Sequence, residues 1–396
     1  MLRQPDEIRN IKSLAINGGK ASLELPYEDT GICTNAADEV AKVVKSGKTS
    51  YWRGGPAAKK LEGKFARLIG KKSAFFHNSG SAALITGLKA LNVREGENIA
   101  ISSSGFISSL NAVYHAKGRP KFIPTDEKTL MSHYPDEYNI PSDIKVSLIT
   151  HFFGNVVDID HIMMKTKAKY LLEDASQALG SKYNNKFVGS FGDVSTFAGS
   201  NRKLLGAGQG GINVYDDDNL GERMRTIGHH GKGNDIWSLT PGFNFRGGEM
   251  EATLGLASLE VLEEKIVLRN KSANSFANIV KSIGLTVAEV NNKIDCEVVW
   301  FDTPIILPIG WLKEDRDWLV KALNLEGVPA WIYPSLIETP WLQKWMKEKN
   351  WWGEEEENLL DYERNIWDRV FVVGSQMSEE DSIKCAYKIS ELMKKV

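Results

Sequence analysis

Cysteine is scarce in this sequence: Cys33, Cys296 and Cys385 are the only three in 396 residues, far apart, odd in number and without a C-x-x-C spacing. That excludes a disulfide scaffold and offers no familiar zinc spacing, and it suits a reducing compartment. Long apolar runs are also lacking, since no stretch approaches the roughly 20 apolar residues needed to span a bilayer. The first twenty residues carry acids and no apolar h-region, so they do not read as a secretory signal, and a cytoplasmic location is expected. A strong charge bias is missing too. The formal net charge is −2, with no basic run to draw in nucleic acid or anionic lipid, so neither is an expected partner and any phosphate must be held locally.

What remains, 42% hydrophobic and 25% charged residues, is the composition of an ordinary globular protein. The length exceeds what one core usually fills, so two unequal domains are expected. From about Ala36, helical patterns alternate with short apolar runs at 98–102, 121–124, 145–150, 170–173, 194–198 and 211–215, the pattern of an α/β domain. Residues 250–280 predict one or two long helices leaving it. The expected division is an N-terminal segment over 1–35 packing on the small domain or a partner, a large domain over 36–262 and a small α/β domain over 263–396. Strand-like runs at 297–301 and 304–307 belong to the small domain, as does a last helix opened by Ser378, Glu379 and Asp381 as cap and first-turn acids. Most of the 11 tryptophans fall at or after Trp300, where packing is the expected role for the majority.

The most informative stretch for chemistry is 170–215. Asp174 ends the apolar run YLLED, where a strand delivers it to the carboxyl edge of a sheet, the position at which open α/β sheets bind ligands. A carboxylate there is costly unless paired, and a protonated pyridine nitrogen is one ligand that would pair it. Gln177 lies three residues on. Lys203 stands between the strand-like STFAG and the glycine-rich LLGAGQGG, which sets it apart from the surface lysines that make up most of its kind. A lysine that forms a Schiff base needs its neutral form, and desolvation or a neighbouring cation supplies it. The turn Asn78-Ser79-Gly80-Ser81 precedes a helix, whose free N–H groups favour an anion. The run Gly206 to Gly211 is no dinucleotide fingerprint, because it leads into a strand, INVYDDD, instead of a helix. His229 and His230 are neighbours and point apart, and no metal site is expected.

These stretches, together with SGKTSYWRGG, HNSGSAAL, SSSGFISSLNAV, HFFG, EDASQALG, VGSFGDVSTF and PGFNFRGGEMEATLGLASL, resemble the DegT/DnrJ/EryC1/StrS family of sugar aminotransferases, fold-type I pyridoxal-phosphate enzymes. The resemblance implies a large α/β domain with a mixed, mostly parallel sheet flanked by helices and a smaller α/β C-terminal domain. It implies pyridoxal 5′-phosphate (PLP) as cofactor, a keto sugar or cyclitol and an amino-acid donor as small-molecule substrates, and a homodimer with shared active sites. Carried over by position, Lys203 forms the Schiff base and shuttles the proton, and Asp174 keeps the pyridine nitrogen protonated. Gln177 contacts the ring oxygen, and Phe106 stacks on the ring. Gly80, Ser81 and Ser200 hold the phosphate, and Asn244 is lent to the neighbouring subunit's phosphate site. Tyr51, Trp52, Arg53, His229, Arg246 and Tyr333 are expected around the substrate. Some relatives carry histidine in place of this lysine and are sugar dehydratases; here the lysine is present. A silent PLP-binding regulator would need Lys203 or Asp174 lost, and neither is. The sequence departs from the family at Ala198, where a phosphate-binding serine is usual, at Leu179 and Gln209, and at Arg202 directly before the lysine.

Overall fold

A computed structural model describes residues 2–25, 35–52, 54–200, 202–233 and 237–395. Seven strands form one sheet in the order Ser73–His77, Gly211–Tyr215, Val194–Ala198, Tyr170–Asp174, Ile144–Thr150, Asn98–Ser102, Arg119–Ile123. The last five run parallel to one another, while Gly211–Tyr215 is antiparallel to both its neighbours. Successive side chains on a strand point to opposite faces, and both faces of a mostly parallel sheet must be covered, which explains the near-continuous apolar runs. Phe75, Ile99, Ile101, Leu148, Leu172 and Val194 face one core. Their neighbours Phe76, Ala100, Ile149, Leu171 and Phe197 face the other. Helices Gly80–Ala90 and Ile107–Ala116 cover the first face, and Pro56–Ile69 and Glu249–Glu260 cover the second.

The strand-like runs read from sequence match Asn98–Ser102, Val194–Ala198 and Gly211–Tyr215 and fall within two residues of the other three. Strand Ser73–His77 is an addition. It lies at the sheet edge and depends on pairing with Gly211–Tyr215, far along the chain. The expected strand at 297–301 is reduced to Cys296–Glu297, paired with Lys182–Tyr183, and regular pairing resumes at Asp302–Ile306. The long helical stretch is two helices, Glu249–Glu260 and Leu262–Ser282, broken at Val261.

A second, antiparallel sheet takes the order Thr286–Val287, Asp302–Ile306, Val370–Gly374, Ala330–Trp331. Its core joins Phe276 and Val280 of Leu262–Ser282, Cys385 and Ile389 of Glu379–Met393, and Ile8 and Leu14 of the N-terminal segment. That segment is fastened by Arg3 N donating to the Met393 carbonyl at 2.7 Å and by Glu326, which accepts from Ala15 N and Ser22 Oγ, each at 2.7 Å. Ser378 caps the last helix, accepting from Asp381 N. Residues 336–367 return to the large sheet, with Leu336, Leu342, Met346 and Leu360 in its first core.

One buried acid holds the frame beneath the site. Glu173 is inaccessible to solvent and accepts from Gly189 N, Phe191 N and Ser195 Oγ at 2.7, 2.9 and 3.1 Å. His151 Nδ1 accepts from Val157 N at 3.2 Å, so the proton sits on Nε2, 3.2 Å from the same carboxylate. Burial alone would raise the Glu173 pKa, but these donors, His151 first, hold it below the ordinary carboxylate value. The stability it contributes is therefore complete above the unfolded carboxyl pKa and lost as pH falls through the lower folded value. Glu173→Gln is expected to destabilise the protein by about 3–5 kcal/mol, measured by denaturant unfolding at neutral pH, because an amide turns an NH2 toward donors that need an acceptor.

Candidate active site

Three parallel strands, ending at Thr150, Asp174 and Ala198, deliver their carboxyl ends to one cavity of about 360 Å³, lined among others by Asp174, Gln177, Ser200 and Lys203. Asp174 ends its strand and is 2% exposed. Its carboxylate is fixed at both oxygens: Oδ2 accepts from Ser109 Oγ at 2.7 Å and Oδ1 from Ser176 N at 3.1 Å. Gln177 Oε1 accepts from Phe153 N at 2.7 Å, which settles the amide orientation and leaves its NH2 as the remaining donor. Thr150 ends the adjacent strand and also lines the cavity; its buried Oγ1 has no hydrogen-bond partner among the described residues. A buried hydroxyl of this kind calls for a ligand or a water.

At the other end lies the N-terminus of helix Gly80–Ala90. Ser79 caps it, its Oγ accepting from Ala82 N at 3.1 Å, while Gly80 and Ser81 line the cavity. Close approach dictates glycine here. A Cβ on Gly80 would meet Ala198 Cβ at 2.9 Å, and one on Gly211 would meet Ser79 O at 2.3 Å. The turn is thus seated directly on Ala198 at the end of its strand. Ser81 Oγ sits 2.6 Å from Ser108 Oγ, and Ser200 also lines the cavity. Gly80→Ala is expected to destabilise the fold by about 1–3 kcal/mol and to weaken phosphate-bearing ligands tenfold or more, by fluorescence titration. Ala198→Gly should restore much of both losses.

Lys203 lies between, its Nζ 4.0 Å from the centroid of the Phe301 ring. Desolvation is the main influence on this amine. With Arg202 and Arg269 it outweighs the attraction of Asp302 and Asp174 and lowers the pKa to about 8.

The cavity thus gathers Gly80, Ser81, Phe106, Asp174, Gln177, Ser200, Lys203 and Tyr333 from the residues expected in the sequence. Phe106, the residue before helix Ile107–Ala116, is half exposed at the rim. Tyr51, Trp52, His229, Asn244 and Arg246 are not brought into it by their own chain. On a neighbouring surface Trp52 stacks on His230 at 5.6 Å and Arg246 lies 4.7 Å over the Trp52 ring, whereas His229 is buried with its ring edge-on to Phe75 at 5.4 Å. Asn244 is exposed, its backbone bridges to that of His229, and its carbonyl accepts from Asn78 Nδ2 at 3.2 Å, next to the turn at Ser79. Tyr51 packs against Gly55, whose helix is capped by Glu249 accepting from Ala57 N and Ala58 N. Arg53 lies outside the described residues.

Sequence reasoning missed Ser109, Thr150, Phe301 and Asp302. An acid opening the apolar strand DTPII was a legible signal for the last, since an unpaired buried carboxylate is rare. Ser109 and Thr150 left none, because a serine or threonine in an apolar run reads the same whether it holds a ligand or packs.

The chain is 29% identical to GDP-perosamine synthase of Caulobacter vibrioides over 71% of its own length and 77% of that protein. Its fold superposes on the aminotransferase PseC of Helicobacter pylori, involved in pseudoaminic acid biosynthesis, with a TM-score of 0.81 at 20% identity over 93% of this chain and 99% of that one. It also matches the E. coli GDP-4-keto-6-deoxy-D-mannose-3-dehydratase, with a TM-score of 0.77 at 22% identity over 94% and 100% of the two chains. At those identities the two structures establish the fold alone. Residues 33–354, some four fifths of the sequence, match a single family profile, and the chain belongs to the DegT/DnrJ/EryC1/StrS aminotransferase family.

Proposed function

We propose that this protein is a PLP-dependent aminotransferase. It moves an amino group from glutamate or glutamine to a ketone or aldehyde of a sugar, a nucleotide-linked sugar or a cyclitol, in ping-pong order. The observation that carries the reading is one cavity holding a depressed-pKa lysine, a buried carboxylate and a helix N-terminus. The residues fit the cofactor: Gly80, Ser81 and Ser200 suit its phosphate, Asp174 its ring nitrogen, Thr150 and Gln177 its ring substituents, and Phe106 a ring face.

When bound, PLP supplies an electron sink for the bond cleaved at the donor's α-carbon. The chain's own residues do the rest. Lys203 Nζ, neutral above about pH 8, would take the proton from the donor's α-carbon and deliver it to the cofactor's C4′ within the same half-reaction, and would move it the other way when the acceptor is aminated. Ser109 and Ser176 hold the Asp174 carboxylate in place at the end of its strand. Capture of PLP by the apoprotein is expected to speed up about tenfold per pH unit below that value and to level off above it, followed by stopped-flow absorbance.

A homodimer is part of the proposal, with Asn244 and the Trp52 surface serving the partner's cavity. What supports it is that Trp52, Trp237 and Leu239 are 49%, 71% and 67% exposed, an apolar surface of the kind partners cover. Among the described residues no helix is long and apolar enough to cross a membrane, and Cys296 and Cys385 are free, which supports a reducing cytoplasm.

The test is to load the protein with pyridoxamine phosphate and mix it with a panel of keto sugars, nucleotide-linked keto sugars and keto-cyclitols. Return of the visible absorbance band names the acceptor, and failure of the whole panel overturns the substrate class. The reverse half-reaction with glutamate and with glutamine identifies the donor.

A further inference from the structure

Asp302 opens the strand Asp302–Ile306 beside the cavity and is wholly buried. Arg202 Nη2 donates to its Oδ1 at 3.0 Å, and the Tyr333 hydroxyl donates to Oδ2 at 3.3 Å. Gln376 ties the same arginine down, its Oε1 accepting from Nη2 at 3.0 Å while its Nε2 donates to the Phe301 carbonyl. The guanidinium carbon stands 3.9 Å from the centroid of the Trp331 ring. Space for this arrangement comes from Gly374, where a Cβ would meet Trp331 at 2.8 Å and Gln376 Oε1 at 2.9 Å. Arg202 itself has φ +72°, the left-handed conformation that residues other than glycine seldom adopt, and strain of this kind concentrates at functional sites.

Three cations surround the Phe301 ring: Lys203 Nζ at 4.0 Å, Arg202 at 5.3 Å and Arg269 of helix Leu262–Ser282 at 5.6 Å from its centroid. The acids that act on Lys203 are Asp302 and, from strand Tyr170–Asp174, Asp174; Tyr333 adds a phenol bound to Asp302. A buried carboxylate beside several cations pairs with whichever is best placed, because its charge is costly alone. Among the described residues Asp302 pairs with Arg202 and not with Lys203.

We propose that Arg202 is a positioning residue: by occupying Asp302 it keeps the Lys203 amine out of an ion pair and available to the cofactor. The inference rests on reading Lys203 as the lysine that bears PLP. A guanidinium stays charged at any working pH and grips a carboxylate and an amide together, which an ammonium does less well. The depressed pKa of Lys203, with Arg202 among its causes, agrees with this arrangement.

The test reads the amine directly, without turnover. The full chain without cofactor is labelled with trace acetic anhydride across pH, and the Lys203 peptide is quantified by mass spectrometry. Arg202→Gln should raise the pH midpoint of Lys203 reactivity by about one unit or more, since Asp302 then pairs with the ammonium. Arg202→Lys should leave the midpoint near the parent's. Adding Asp302→Asn to Arg202→Gln should bring it back, as no acid remains to pair. A merely structural Arg202 would lower the melting temperature and leave the midpoint in place, and that result in a folded Arg202→Gln variant overturns the proposal. If this variant does not fold, Asp302→Asn alone decides: the midpoint should drop below the parent's, and an unchanged midpoint is again fatal. Borohydride reduction of the PLP-loaded parent followed by peptide mapping separates the two readings. Label away from Lys203 defeats the assignment of the lysine, whereas label on Lys203 with no shift in the variants defeats only the role of Arg202.

Discussion

Replacing Lys203 by alanine is expected to abolish the visible absorbance band of the PLP-loaded protein and to lower kcat by roughly 10³-fold or more, with the fold intact. The magnitude follows from the two duties of one atom. Nζ attaches the cofactor, and it also moves the proton at the donor's α-carbon, a positioned acid–base role that alone contributes about 10²–10⁴-fold. The fold should survive because the lysine reaches into a cavity and makes no ion pair within 4 Å among the described residues, so its loss strands no buried acid. Circular dichroism and a melting curve check the fold, and absorbance and steady-state kinetics check the chemistry. Turnover equal to the parent's would remove Lys203 from the mechanism.

Asp174→Asn should be the second large loss. The amide is nearly isosteric, and with its oxygen turned to Ser176 N its NH2 meets Ser109 Oγ, a hydroxyl that can accept as well as donate, so packing and stability should change little. What disappears is the charge. An opposite charge within about 4–6 Å shifts a partner's pKa by about 1–3 units, so kcat/KM should fall about 10- to 10³-fold as the ring nitrogen loses its proton. PLP affinity should fall in parallel, and the two together separate this variant from one that is only misfolded. Asp174→Glu keeps the charge but overfills a site closed by Ser109 and Ser176, and it should recover little.

Much of this was legible before any coordinates. Six of the seven strands of the large sheet stand out because strands covered on both faces must be apolar on both, which leaves short uninterrupted runs such as NIAIS and GINVY. The candidate acid Asp174 was legible for the same reason, since a charged residue at the end of such a run is costly unless something pairs it, and Lys203 stood out by its place between STFAG and the glycine-rich LLGAGQGG. The edge strand Ser73–His77 was not, because five residues ending in histidine carry no period of their own and are ordered by a partner strand far along the chain. Nor was the return of residues 336–367 to the large sheet, since an amphipathic helix shows which side is apolar but not which core receives it.

The amino-acid sequence by itself determined the α/β architecture, because burial and strand length restrict which residues can stand where, and its ordered motifs carried the family resemblance that marks Lys203 and Asp174 as candidates. Only the tertiary structure decided that Asp302, Phe301 and Arg202 converge on that lysine. It alone, too, kept Trp52, Asn244 and Arg246 out of their own chain's cavity. The reason is physical: a side chain's cost of burial is written in its own chemistry, whereas its partners are chosen by packing between segments a hundred residues apart.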